Sequence, residues 1–307
     1  MKAARLLCVV VTHNNAATIA RCLGALTTQH EVELDFCVVD NQSTDETLAR
    51  IRQAFPATVV QANDANVGFG RAVNDAVRVA ALDRYSHVLL VNPDAYLEAT
   101  AARALVEASA AQPRWGALGG LGLREDGSVD PTSCLARPSL RQAVSSAVAL
   151  HRWPGFRRLD SNRIGAVFVA QPGVVPAVAG SVVLIPIEAW RAVGGFDPAF
   201  FLYGEDVDLC CRLLQAGWAS GFVPDCRYVH ARGTSSPDPS MHELRMLSGR
   251  ALLYRRQLGP LRGRIAIAAT VFGVGVRHFA AAVLRRRSRW TLSWQHRRVW
   301  RAGRWPG

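Results

Sequence analysis

Leu6-Leu7-Cys8-Val9-Val10-Val11-Thr12-His13-Asn14-Asn15 sets six consecutive apolar residues directly before four polar ones. An apolar run of that length without alternation suits a strand buried on both faces, as in a parallel α/β sheet. The pattern returns at 34–39, 58–61 and 87–91, and between these strands the segments 16–26, 44–54 and 70–82 carry apolar residues at helical spacing. Such alternation over roughly the first 120 residues predicts a parallel sheet flanked by helices. Ligands of these sheets bind beyond the carboxyl ends of the strands. Polar residues gather at those ends: Thr12-His13-Asn14-Asn15 after the first, Asp40-Asn41 after the second, Asn92-Pro93-Asp94 after the fourth. One crevice is expected to collect them.

The chain has 307 residues, half of them hydrophobic, enough for a full core. Met1-Lys2-Ala3-Ala4-Arg5 leads straight into the first strand, whose apolar run is too short for a signal-peptide core. Seven cysteines, an odd number without metal-ligand spacing, fit buried thiols in a reducing compartment better than disulfides or a zinc site. The first turn has no glycine fingerprint, which argues against a nicotinamide or flavin cofactor. Residues 122–175, interrupted by Pro131, Pro138, Pro154 and Pro172, read as excursions over the crevice that shape an acceptor side. A strand resumes at 177–185 and a short helix follows at 188–193.

Four further features carry chemistry. Gly204-Glu205-Asp206-Val207-Asp208 follows the aromatic loop Phe200-Phe201-Leu202-Tyr203 and opens a helix running to about 215. Its three carboxylates suit either the acidic first turn of that helix or an active site. Asp94, fixed by Asn92-Pro93, is either an ordinary Asx turn or a strand-end carboxylate that holds a divalent cation against a diphosphate. Asp40 stands where dinucleotide folds keep a ribose-binding acid. Val67-Gly68-Phe69-Gly70 is a lone Gly-x-Gly that serves a nucleotide edge or turn packing equally well. His230 is a structural histidine or a metal ligand, with Arg232, Thr234 and Ser235 beyond it as phosphate donors.

Taken in order, Val10-Val11-Thr12-His13-Asn14, Val38-Val39-Asp40-Asn41-Gln42-Ser43-Thr44-Asp45, Asn66-Val67-Gly68-Phe69-Gly70 with Asn74, Leu90-Val91-Asn92-Pro93-Asp94, residues 194–212 and Val229-His230 resemble glycosyltransferase family 2, the inverting nucleotide-sugar transferases of the GT-A fold. The resemblance implies a GT-A fold, a Rossmann-like α/β architecture, with a catalytic domain over 1–240. Nucleotide-sugar binding would fall within about 1–121 and the acceptor side within about 122–240. It implies that Asp40 contacts the nucleobase, with Thr12, His13, Asn14 and Asn41 around it and Gly68, Phe69, Asn74 and Asn92 completing the donor site. Asp94 would be the metal-binding end of the family's Asp-x-Asp motif, although Asn92 stands in place of its first Asp. Asp206 matches the catalytic base, with Glu205, Asp208 and Tyr203 orienting it or the acceptor. His230 matches the position that completes a site for Mg²⁺ or Mn²⁺. Asn-Pro-Asp together with the 195–209 run is most similar to bacterial rhamnosyltransferases that use dTDP-L-rhamnose. A UDP-linked galactofuranose, galactose or N-acetylglucosamine donor is the alternative, and a non-catalytic lipid- or nucleic-acid-binding protein the rival of another class. A processive synthase is not expected, since no Gln-x-x-Arg-Trp motif occurs.

Charge is unevenly distributed. From Met241 onward 15 arginines face one acid, Glu243, giving +14 out of a total of +12, so the first 240 residues carry about −2. This tail (241–307) is expected to hold a basic helix over 241–258 and an apolar one over 265–284, broken by Arg277-His278. Ile265, Ala269, Phe272, Val276, Phe279 and Val283 share one face of the latter. Arginines interleaved with Trp290, Trp294, Trp300 and Trp305 suit the interface of an anionic membrane. A capping helix, a spanning helix and nucleic-acid binding are the alternatives, nucleic acid being the least favoured. A lipid-linked glycan acceptor at the inner face of the plasma membrane would account for a basic tail on a cytoplasmic catalytic body.

Overall fold

A computed structural model describes residues 4–148, 172–231, 238–285 and 288–304. Strand β1 (Ala4–Thr12) is paired in parallel with β2 (Val32–Asp40) on one side and β4 (His87–Val91) on the other, and β3 (Val59–Ala62) lies parallel outside β2. Leu7, Val9 and Val11 enter one hydrophobic core while Leu6, Cys8 and Val10 enter another, which is why the opening run has no polar alternate. Helices α3 (Phe69–Val79), α6 (Ile187–Val193) and α7 (Glu205–Gln215) supply the first core. Helices α1 (Ile19–Thr27), α2 (Thr47–Ala54) and α4 (Ala101–Ala111) supply the second.

Beyond β4 the sheet is mixed, which corrects the expectation of a parallel one. Strand β10 (Val182–Pro186) runs antiparallel between β4 and β6 (Trp115–Leu123). Strand β11 (Ala219–His230) is parallel to β6, with β5 (Ala95–Leu97) and β8 (Gly173–Val175) antiparallel to it. The order is β3-β2-β1-β4-β10-β6-β11-β5, with β8 also on β11. The strand expected at 177–185 breaks at Ala179-Gly180-Ser181, because β9 (Ala177–Val178) pairs with β7 (Cys134–Leu135) in a separate two-stranded sheet. Two consequences place the site. Running antiparallel, β10 brings its amino end to the carboxyl end of β4, where the Asn92 N–H donates to the Ser181 carbonyl (2.8 Å). Likewise β11 ends with His230 opposite Ala95, directly after Asp94.

Strand β6 escapes the apolar pattern because glycines occupy 116, 119, 120 and 122. They are there for close approach: a Cβ on Gly120 would stand 2.2 Å from the Cys226 carbonyl oxygen. The partner strand β11 shifts register between Val223 and Arg227, around Pro224, which has no N–H to give a ladder.

At the carboxyl end, α8 (Pro239–Gln257) and α9 (Gly259–Val283) form where helices were expected, followed by α10 (Trp290–Gln295) and α11 (Arg297–Trp300). With α5 (Leu140–Ala147) they enclose a third core of Ala143, Leu244, Leu247, Ala251, Tyr254, Ala266, Ile267, Val274 and Trp300. Here the expectation for the tryptophans is corrected. Trp300 is fully buried and its indole N–H donates to the Ser293 carbonyl (2.7 Å), while Trp294 packs on His278 and Phe279. These indoles hold the helices together, since a bulky ring with one donor suits a small core that offers one carbonyl. Trp305 lies outside the described residues.

Candidate active site

The parallel half of the sheet delivers Thr12 and Asp40 as direct neighbours in the β1–β2 register. Asp40 is 1% exposed; its Oδ2 accepts the Ser43 N–H (3.0 Å), and its Oδ1 has no partner among the described residues. A buried acceptor left so is costly, by about 1–3 kcal/mol, unless a ligand donor meets it. The base or ribose of a nucleotide offers such donors.

The residues around Asp40 brace this position. The Thr12 hydroxyl donates to Asn15 Oδ1 (3.1 Å), and His13 Nδ1 donates to the Asn41 carbonyl (2.8 Å). Asn41 donates to the Gly68 carbonyl (3.1 Å) and accepts from Asn63 (2.8 Å), tying two loops to the strand end. Asn14, at φ +57°, accepts the Thr44 N–H through its side chain (2.8 Å) and so holds the loop before α2. Gly68, at φ +86°, lies so close to the aromatic loop that a Cβ would stand 2.3 Å from the Phe201 carbonyl oxygen, and the Phe69 N–H donates to that same oxygen (3.0 Å). Asn74 exchanges both its side-chain hydrogen bonds with the backbone of Phe196 (2.8 and 2.9 Å). Gly68, Phe69 and Asn74 therefore join the donor half to the 194–204 loop.

Asp94 is 3% exposed, and its Oδ1 lies 3.2 Å from His230 Nε2. On the other side of that ring, His230 Nδ1 is 3.8 Å from Oδ2 of Asp130, another buried carboxylate. Asp130 Oδ1 accepts from both the N–H and the hydroxyl of Thr132 (2.9 Å each). Sequence reading missed Asp130 because it missed β6; the residue follows that strand just as Asp94 follows β4. Arg232, Thr234 and Ser235 lie outside the described residues.

The acidic run forms the amino terminus of a helix. Gly204, at φ +92°, precedes α7, and Asp206 in the first turn accepts the Gly180 N–H at Oδ2 (3.1 Å) and the Val207 N–H at Oδ1 (2.8 Å). Burial raises the Asp206 carboxyl, and these two donors pull it back. Glu205 is more deeply buried, with Oε2 unpartnered among the described residues; burial first and the Asp206 charge second push it up to about 8. Of the two adjacent acids, Asp206 has the donors that favour its charge, whereas Glu205, with only its own N–H, is the one that burial holds protonated. Asp208 is bound to Arg212 Nε (2.7 Å) and Gln257 Nε2 (2.7 Å), anchoring α7 to α8. The Tyr203 hydroxyl is 3.0 Å from His242 Nδ1 of α8. A short chain unites the halves: Asp206 to Gly180, then Ser181 to Asn92, then Pro93 to Asp94.

This arrangement pairs an ionised, partly exposed carboxylate with a second cluster of Asp94 and His230. Among the described residues no three His, Cys, Asp or Glu side chains gather into a metal site. A carboxylate and an imidazole fit a hard cation such as Mg²⁺ or Mn²⁺ that takes its remaining oxygens from phosphates and water.

Comparison with known proteins follows the same lines. The model for "Glycosyltransferase like family 2" matches residues 4–250. Over 247 residues the chain is 34% identical to the N-acetylglucosaminyl-diphospho-decaprenol L-rhamnosyltransferase of Mycobacterium tuberculosis, covering 76% of this chain and 78% of that protein. Over 72 residues it is 42% identical to rhamnosyltransferase WbbL of Escherichia coli K12, covering 24% and 27%. The solved mannosyltransferase PcManGT from Pyrobaculum calidifontis, in complex with GDP-Man and Mn²⁺, superposes with a TM-score of 0.55 at 19% identity, covering 97% of this chain and 85% of that one. At that identity the likeness establishes the fold, the GT-A type, with helices added at the carboxyl end.

Proposed function

The chain belongs to glycosyltransferase family 2, and from that premise we propose that it transfers L-rhamnose, with inversion, from a dTDP-linked donor to a lipid-linked glycan acceptor. The observation that carries this reading is Asp206: a carboxylate held by two backbone N–H groups and joined through Gly180–Ser181–Asn92 to the Asp94–His230 cluster. The mycobacterial relative's name supports the sugar and the polyprenyl-diphosphate acceptor.

In this mechanism Asp206 accepts the proton of an acceptor hydroxyl as its oxygen bonds to the anomeric carbon. The bond from that carbon to the diphosphate oxygen breaks on the opposite face, and the electron pair leaves with the nucleoside diphosphate. Glu205, holding its own proton, leaves Asp206 as the charged member of the pair. Asp40 Oδ1 receives a donor from the base or ribose and seats the nucleotide. Asp94 and His230 would hold a divalent cation, which when bound neutralises charge on the departing diphosphate. Asp130 orients the His230 ring from behind. Reaction at the inner face of the plasma membrane agrees with seven free cysteines, six of them buried, in a reducing compartment.

The test is a panel of dTDP-, UDP- and GDP-sugars with Mg²⁺ or Mn²⁺ and a polyprenyl-diphosphate-linked N-acetylglucosamine acceptor. Transfer from dTDP-L-rhamnose with inverted product stereochemistry is expected. Transfer from a UDP-sugar alone would replace the donor assignment. Neither transfer nor donor hydrolysis with any member would overturn the proposal.

A further inference from the structure

Helix α9 is buried on one side only. Leu261, Ile265, Phe272, Val276, Phe279 and Val283 are 43 to 82% exposed. Their spacing keeps them on one face for about 33 Å of helix at 1.5 Å per residue. The opposite face is closely packed along its length: a Cβ on Gly263 would stand 2.8 Å from the Tyr254 carbonyl oxygen, on Gly273 2.7 Å from the Ala147 backbone, and on Gly275 2.8 Å from the Trp294 ring. Arg277 and His278, which interrupt the apolar run in sequence, lie on that packed side. The Arg277 guanidinium donates to the Ser146 and Ala147 carbonyls at the end of α5, and His278 stacks on Trp294. The exposed side is left without an interior charge.

Exposed cations stand at both ends of the stripe, Arg262 and Arg264 at one and Arg285 and Arg289 at the other. A convex apolar strip of this length, bounded by guanidinium groups, complements the headgroup and upper acyl region of an anionic bilayer. We infer that α9 lies flat in the interface of an anionic membrane, with Phe272, Val276 and Phe279 in the acyl boundary and the flanking arginines on lipid phosphates. Spanning is opposed by the packed face. Passage of α9 through the hydrocarbon would carry α8 with it, including the exposed Arg255 and Arg256. The seat also places chemistry near the surface, because α8, packed on α9, holds Tyr203 through His242 and Asp208 through Gln257. This adds to the proposed transfer without depending on it.

The test is flotation of the full chain, without donor or acceptor, on phosphatidylcholine vesicles with and without phosphatidylglycerol. Binding to the anionic vesicles, release by alkaline carbonate, and a fall in partition coefficient of at least about tenfold for Phe272→Glu/Phe279→Glu are expected. Arg262→Glu/Arg264→Glu should weaken binding to anionic vesicles by a similar factor, so the result does not rest on one variant. Nucleotide binding should stay at the wild-type value in both, and the thermal melt by circular dichroism in the arginine variant. Equal partition by the double-Phe variant, or resistance to carbonate, would overturn the inference. So would a dimer in light scattering that this variant converts to monomer, since a second copy would then cover the stripe.

Discussion

Glu205→Gln tests whether the acidic pair works as described. The substitution keeps the shape of the side chain and removes its titration. In the wild type the Glu205 carboxyl is pushed up to about 8 from an ordinary 4.5, chiefly by burial. The unfolded chain therefore binds fewer protons than the folded one between those values, and stability falls as pH rises through that window. Worked from the two values, the group removes roughly 3–4 kcal/mol of stability between pH 5 and pH 8, of which roughly 2–3 kcal/mol is lost by pH 7. The sign of the effect follows from burial alone. Urea denaturation of both proteins at pH 5, 6, 7 and 8 reads the difference, because titrating groups away from the Glu205–Asp206 pair cancel. Glu205→Gln should gain on the wild type as pH rises, by about 1.4 kcal/mol per unit in the middle of the window. A stability difference that does not change with pH would refute the reasoning, whichever protein is the more stable.

Other changes have separate signatures. Asp206→Asn should lower kcat by roughly 10²–10⁴ while leaving nucleotide binding intact in calorimetry, as expected of a base that acts only on the acceptor proton. Asp40→Ala should raise KM for the donor by about tenfold with little change in kcat, since it removes a ground-state hydrogen bond to the nucleotide. Asp130→Asn should weaken Mn²⁺ binding by roughly 10–100-fold, read by electron paramagnetic resonance with dTDP present, if Asp130 orients His230. Gly249→Ala would set a Cβ 1.8 Å from the Tyr203 carbonyl oxygen. It should cost about 1–3 kcal/mol in urea unfolding and reduce turnover by displacing the loop before Asp206.

Much of this was open to inspection in the chain itself. The parallel half of the sheet was legible because a strand buried on both faces leaves an unbroken apolar run, as the central strands β1 and β4 do. Asp40, Asp94 and Asp206 were legible because short motifs place them at strand and helix ends, where backbone geometry is set locally. Strand β6 was not, since four glycines erase its apolar signal, and the need for one of them, Gly120, lies in the Cys226 carbonyl more than 100 residues away. With it went Asp130. Which of two neighbouring acids carries the proton was also closed to sequence, for it depends on Gly180, an N–H that reaches Asp206 only because β10 runs antiparallel. The same holds for the tail. Its sequence determined that one helix is long, apolar and flanked by arginines. Only packing decided that Arg277 and His278 turn toward α5 and Trp294, leaving the other face uninterrupted, because which side of a helix is buried is settled by what it meets.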